Sequence, residues 1–137
     1  MPPHAYIPGR TARHTEDWFD EIKSSVHPGI EPEDLCYTQA FKAGLFYLDA
    51  GYFWECHEVL EAVWMQTPLG SHEREMVQAL IQLANARLKV VMARPRAARR
   101  LCSMVEDHLS RCPDGVPILG LLPEVVRGWI ATVRVQL

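Results

Sequence analysis

The sequence has no long hydrophobic run. Its longest apolar stretches, such as residues 90–93 and 116–122, are far shorter than the roughly 18 residues that a membrane-spanning helix needs. Residues 1–18 contain early prolines, histidines and arginines, and they have no apolar core of the kind found in a secretory signal. We therefore expect no transmembrane helix, no membrane partner and no export.

The chain also lacks a large excess of charge of either sign. It has 14 Lys and Arg residues against 17 Asp and Glu residues, a formal net charge of -3. Such a balance gives no overall attraction to a polyanion. The one local basic patch is the run of four arginines in residues 94–100, in which Arg96, Arg99 and Arg100 could contact phosphate. It has no interleaved aromatic residues, so a solvated helix face is the favoured interpretation, and nucleic-acid binding is not expected.

Cysteine pairs and nucleophile motifs are missing as well. The four cysteines, Cys36, Cys56, Cys102 and Cys112, form no CxxC pair, and neither a Gly-rich phosphate loop nor a Gly-x-Ser-x-Gly turn is present. At least Cys56 and Cys112 fall on apolar helical stripes, where cysteine behaves as a small hydrophobic residue. We expect reduced thiols in a cytoplasmic protein, with a disulfide between two of them as the alternative.

What the chain does contain is enough apolar residues for one core. With 137 residues, 48% of them hydrophobic, it fits a single domain. Residues 1–30 hold four of the ten prolines, which predicts an extended N-terminal arm. A short helix capped by Thr15 should interrupt the arm, and its apolar edge of Trp18, Phe19 and Ile22 should dock on the body. Residues 31–137 then form a helical bundle domain.

Helical periodicity dominates from residue 32 onward. Turn residues and caps divide it into helices over about 32–50, 52–66, 71–92 and 95–112, with a last one starting near residue 123. Strand patterns are nearly absent. The predicted fold class is therefore all-α, a compact multihelical bundle of about five helices with an extended N-terminal arm.

The helix over residues 52–66 carries polar and aromatic residues on one face. At about 100° per residue, that face groups Trp54, His57, Glu58, Glu61, Trp64 and Met65. A neighbouring apolar stripe leaves little besides Glu55, Ala62 and Gln66 to meet solvent, so the helix is predicted to be largely buried. An unpaired ionised carboxylate buried in this way would cost several kcal/mol, so each acid must find a partner, a proton or a metal.

The helix over residues 71–92 offers such partners. Its polar residues recur at spacings of three and four, which places on one stripe Glu75, Gln78, Gln82, Asn85 and Lys89. In one interpretation, the carboxylates and the imidazole exchange hydrogen bonds with Gln78, Gln82 and Lys89, and the network fixes helix register. The protein would then be a non-enzymatic structural or protein-interaction domain, in which the cluster only fixes packing.

In the other interpretation, the same groups bind a divalent metal. His57 and Glu61 are one helical turn apart and point the same way, and Glu58 is a third metal ligand or the catalytic general base. Such mixed ligands suit Zn, Mn or Fe, and an enzyme built on them would be a metal-dependent hydrolase. The candidate ligand-binding residues for a small polar ligand are Trp54, Trp64, Gln78 and Gln82. A second copy of the chain, in a homodimer, is a further candidate partner.

Two strings carry a family resemblance. Residues 43–64, which read AGLFYLDAGYFWECHEVLEAVW, and residues 77–84, which read VQALIQLA, resemble the prokaryotic family called domain of unknown function 309. Ala79 departs from the family's usual Gly. The resemblance implies a small multihelical domain whose HExxE helix packs against a Gln-rich helix, with no settled activity. Its signature residues here are Trp54, Glu55, His57, Glu58, Glu61, Trp64, Gln78 and Gln82.

Overall fold

Six α-helices and one 3-10 helix make up the fold in a computed structural model that describes residues 1–137. Helices hold 61% of the residues and there are no strands. In chain order they are α1 (Asp20–Lys23), the 3-10 helix Pro32–Tyr37, α2 (Gln39–Ala50), α3 (Phe53–Trp64), α4 (His72–Val91), α5 (Pro95–Ser110) and α6 (Pro123–Val135). The five helices from α2 to α6 are the long ones, so the predicted all-α bundle is confirmed.

Several helix ends follow directly from local chemistry. The side chain of Ser71 accepts a hydrogen bond from the backbone N–H of Arg74 at 3.1 Å, which caps α4 where predicted. Pro95 and Pro123 occupy the first turns of α5 and α6, where a missing N–H costs nothing. Gly51 ends α2 in the left-handed region, at φ 87°.

Two predicted helix starts were wrong. The helix expected from residue 32 to residue 50 is broken at Thr38, whose backbone is extended and whose hydroxyl accepts from the N–H of Phe41 at 3.3 Å. The threonine thus caps α2, and the preceding turns tighten into the 3-10 helix. Thr15 caps nothing either, since its carbonyl only closes a turn with the N–H of Trp18 and α1 begins at Asp20.

Helix α4 is the central element of the bundle. It packs against α3, α5 and α6. Nine of its residues are buried, namely Met76, Val77, Ala79, Leu80, Ile81, Leu83, Ala84, Ala86 and Leu88. A helix that is apolar around most of its circumference must be covered by neighbours on several sides. Its polar stripe is the part left free of the core.

The N-terminal segment lies on the body of the bundle. Phe19 and Val26 belong to the hydrophobic core, and Tyr6 is also buried. Hydrogen bonds within the segment hold residues 4–12 in a loop, among them one from the hydroxyl of Thr11 to the carbonyl of Ala5 at 2.9 Å. Residues of the N-terminal segment therefore pack against one side of α3 and shield it from solvent.

None of the helices combines the length and the apolar character that crossing a bilayer requires. All four cysteines are free thiols.

Helix α2 packs tightly against α3 at Gly44. A Cβ atom at this glycine would lie 2.5 Å from the Cδ2 atom of Leu60, a separation that real Cβ contacts do not show. Leu60 is fully buried, so its side chain has no open space into which it could move. The contact therefore requires a residue without a side chain.

The substitution Gly44→Ala should lower the free energy of unfolding by about 1–3 kcal/mol, because the added methyl group overpacks the α2–α3 contact. Gly128→Ala is the matched control, since Gly128 is an exposed position of α6 with nothing within 4 Å of an added Cβ. That change should leave stability unchanged or raise it by up to about 1 kcal/mol. Urea denaturation of both variants measures the difference, and equal stabilities would contradict the expected clash.

Candidate functional site

The polar residues of α3 and α4 meet at a cleft between the two helices. The cleft has a volume of ≈ 340 Å³. It is lined by His57, Glu61, Trp64, Met65, Gln78, Ile81, Gln82 and Asn85. Five of the predicted site residues, His57, Glu61, Trp64, Gln78 and Gln82, therefore lie around one space.

The imidazole of His57 is held in one orientation. Its Nδ1 atom lies 2.9 Å from the carbonyl oxygen of Trp54, and a carbonyl can only accept, so Nδ1 carries the proton. In the neutral ring Nε2 then has a free lone pair, and this atom lies 3.2 Å from Oε1 of Glu61. Two acceptors at this distance need a proton or a metal cation between them.

Glu58 lies beside this pair but has another partner. One ligand atom from each of His57, Glu58 and Glu61 can be chosen so that all three lie within 4.8 Å of one another. However, Oε1 of Glu58 accepts a hydrogen bond from the ammonium group of Lys23 in α1 at 2.5 Å. The sequence pattern did not indicate Lys23, because nothing in the spacing of α3 shows where α1 packs.

The two predicted tryptophans have different positions. One face of Trp64 is covered by the guanidinium of Arg74, whose carbon lies 4.0 Å from the ring centroid, and the ring also lines the cleft. Trp54 does not line the cleft. Its ring packs edge-on against His57 and against Tyr6 of the N-terminal segment, with centroids 5.7 and 5.2 Å apart. Trp54 contributes to the site through its backbone carbonyl, which orients His57.

The hydrogen-bonded network expected between the two helices does not form. Nδ2 of Asn85 donates to Oε1 of Gln82 at 3.2 Å, a bond within α4. No hydrogen bond joins His57 or the two acids to Gln78, Gln82 or Lys89. The facing polar groups are separated by the cleft and are available to something that occupies it.

The predicted burial of α3 was wrong at two acids and at Met65. Glu61 was expected inside, but its side chain is 53% exposed. Met65 is 71% exposed. Glu55 was expected in solvent, but its exposure is 0%. The reason is that the N-terminal segment covers the Glu55 side of the helix, whereas the His57–Glu61 side opens into the cleft.

Glu55 is bound by the segment that covers it. Its Oε2 atom accepts hydrogen bonds from the backbone N–H of Tyr6 at 2.6 Å and from Nε2 of His14 at 2.5 Å. The side chain of His14 is 2% exposed and packs among the rings of His4, Trp18, Phe19 and Trp54. Oε1 of Glu55 is buried and has no hydrogen-bond partner. The only sequence signal for this position was its place among the family's signature residues.

The buried cysteines are unsuited to nucleophilic chemistry. Burial raises the pKa of the Cys56 thiol far above its ordinary value. Burial, together with the nearby carboxylate of Glu75, raises the pKa of Cys112 to about 11. A thiol must ionise to act as a nucleophile, so neither is activated. This agrees with the core positions predicted for both.

The arginine run lies outside the cleft, at the start of α5. Arg94, Arg96, Arg99 and Arg100 are all exposed. Arg99 donates a hydrogen bond to the carbonyl of Leu137 at 2.9 Å. The structure thus places these side chains on a solvated helix face and brings no aromatic ring into the run.

The fold defines the class of protein, a small all-helical bundle with a polar cleft between two of its helices. The family model described as "Domain of unknown function (DUF309)" matches residues 41–101, a span that includes every residue lining the cleft. This segment is therefore similar to the DUF309 family. No curated protein and no solved structure matches the chain.

The substitution Glu55→Ala should lower the free energy of unfolding by about 3–5 kcal/mol, because it removes the acceptor for a buried N–H and a buried imidazole. Glu106→Ala is the matched control. Glu106 pairs with Arg134 on the surface, where an ion pair contributes about 1 kcal/mol or less. Urea denaturation measures the free energy of unfolding of both variants. Similar losses of stability would mean that the hydrogen bonds of Glu55 to Tyr6 and His14 do not hold the N-terminal segment.

Proposed function

We propose that the cleft between α3 and α4 binds a divalent cation at His57 and Glu61, with Glu58 as third ligand. The observation that carries the proposal is the position of His57 Nε2, which lies 3.2 Å from Oε1 of Glu61 while Nδ1 lies 2.9 Å from the Trp54 carbonyl oxygen. Histidine ligands in metal sites commonly donate their other ring N–H to a carbonyl or carboxylate, as Nδ1 does here to Trp54.

The spacing of the two atoms fits a shared ion. Bonds from zinc to nitrogen or oxygen are about 2.0–2.2 Å long, so two ligands of one ion lie about 3.0–3.5 Å apart. One imidazole and two carboxylates form a donor set that suits Zn, Mn or Fe. The separation of 3.2 Å between Nε2 and Oε1 of Glu61 therefore requires little rearrangement at these two ligands.

Hydrolysis is the chemistry that such a site supports best. Three protein ligands leave coordination positions open, and a bound cation lowers the pKa of water in such a position. The chain's own contribution is the orientation of His57 by the Trp54 carbonyl and a carboxylate, Glu58, beside the open positions. Glu58 serves either as the third ligand or as the general base, and in the second case His57 and Glu61 alone hold the cation.

The lining indicates the kind of ligand. Gln78, Gln82 and Asn85 present carboxamides, which both donate and accept, while Trp64 and Ile81 give apolar surface. No Lys or Arg lines the cleft. At ≈ 340 Å³ it lies near the lower end of ligand pockets, which run from about 300 to 1,000 Å³. A small, uncharged, polar molecule fits these features.

The second interpretation, a cluster that only fixes packing, has less support. It requires direct hydrogen bonds between the polar groups of α3 and those of α4, because buried polar atoms need partners. The groups instead face an open cleft, and the side chain of Glu61 is half exposed. Such groups are satisfied by solvent and do not need one another.

Cation binding can be measured directly on protein freed of metal with a chelator. Zn²⁺ or Mn²⁺ should raise the unfolding temperature, because a ligand present at 100 times its Kd stabilises a folded protein by about 2.7 kcal/mol. His57→Ala should abolish the rise. Elemental analysis of the purified protein before chelation identifies the ion that it carries.

The matched control is His108→Ala. His108 and Glu75 form another histidine–carboxylate pair, with Nδ1 and Oε2 2.7 Å apart and side-chain exposures of 21% and 22%. The guanidinium of Arg111 lies 3.4 Å from the same carboxylate oxygen and already supplies a positive charge there. This variant should respond to metal as the unaltered protein does. Absence of any cation effect, or an effect that survives His57→Ala, would refute the proposal.

A further inference from the structure

We infer that Lys23 and the divalent cation are alternative partners of Glu58, so that Lys23 sets the affinity of the cleft for the cation. The inference rests on the proposed cation site and adds to it a residue from outside the cleft. Its basis is the position of one ammonium group, 2.5 Å from a carboxylate that lies within reach of both His57 and Glu61.

The ion pair is partly shielded from solvent. The side chains of Lys23 and Glu58 are 31% and 24% exposed, whereas Glu61 is 53% exposed. Of the three acidic and imidazole groups in the cluster, Glu58 is the one with a permanently charged partner. In the absence of a cation, the ammonium therefore neutralises one of the two carboxylates.

The backbone keeps Lys23 close to α3. Phe19, one turn earlier, is 3% exposed and belongs to the hydrophobic core, and its carbonyl accepts the backbone N–H of Lys23 at 2.8 Å. Only the flexible side chain of the lysine has to move for its charge to leave Glu58. Exchange of partners thus requires a rotamer change and no detachment of the N-terminal segment.

Electrostatics makes the two partners competitors. A cation that takes Glu58 as a ligand must lie within a few ångströms of the ammonium if Lys23 stays in place. A single positive charge roughly 6 Å from a divalent ion weakens binding by about tenfold even in water-like surroundings. By linkage, cation binding must weaken the Lys23–Glu58 pair by the same factor.

The first experiment measures Zn²⁺ or Mn²⁺ affinity by calorimetric titration. Lys23→Met should tighten binding by about tenfold, because it frees Glu58 and removes the competing charge. Lys42→Met, an exposed lysine of α2, is the control for the loss of one positive charge and should have no comparable effect. In a Glu58→Gln background, Lys23→Met should tighten binding by less than it does with Glu58 present, since no carboxylate then holds the ammonium beside the cation.

The second experiment follows the lysine in the unaltered protein. The chain has only three lysines, Lys23, Lys42 and Lys89, so acylation by an amine-reactive ester can be assigned by peptide mapping. Saturating cation should raise the labelling of Lys23 several-fold relative to Lys42. This readout does not depend on whether the Lys23→Met variant folds.

The outcomes separate the two proposals. Cation binding to the unaltered protein with no change in Lys23→Met, or with weaker binding in that variant, would overturn the competition and leave the cation site intact. Unchanged Lys23 labelling in the presence of bound cation would do the same. No cation binding by any of the variants would refute the cation site itself.

Discussion

The fully buried carboxylate of Glu55 is the constraint on which the rest of the arrangement depends. An ionisable group with no access to water must be hydrogen-bonded, and both of its donors, the N–H of Tyr6 and the ring of His14, come from the N-terminal segment. That segment closes over one side of α3 and packs its aromatic rings on Trp54. The carbonyl of Trp54 in turn orients His57. The residue whose ring the segment covers is thus the residue whose carbonyl contacts His57.

Helix α4 explains why the cleft opens where it does. Its apolar residues pack against α3, α5 and α6, so the carboxamide side chains of Gln78, Gln82 and Asn85 remain at the edge of the core. Across from that stripe α3 presents His57 and Glu61, and Arg74 supports Trp64 at the end of the cleft. The apolar sides of α3 and α4 pack against each other. Their polar side chains lie beside this contact and border the cleft.

Much of the bundle was predictable because helix caps and apolar spacing are local features. The start of α4 at Ser71 and the prolines that open α5 and α6 are examples. The break at Thr38 was missed, because a threonine within a continuous apolar pattern can lie inside a helix or cap one. It is a cap here because its hydroxyl accepts the backbone N–H of Phe41. The predictions for Glu55 and Glu61 were wrong for a different reason. Glu55 was expected to be exposed and is buried, and Glu61 was expected to be buried and is exposed. A helical wheel gives the angle between residues but not which neighbour covers each side.

The match to the family extends over residues 41–101, whereas Tyr6, His14 and Lys23 lie before it. Glu55 and Glu58 are thus inside the matched segment, and the groups that satisfy them are outside it. A fragment cut at the family boundaries would carry an acid with no donor and an uncovered aromatic surface. For expression, or for transplanting the cleft onto another scaffold, the smallest workable piece of this chain is therefore longer than the segment that matches the family model.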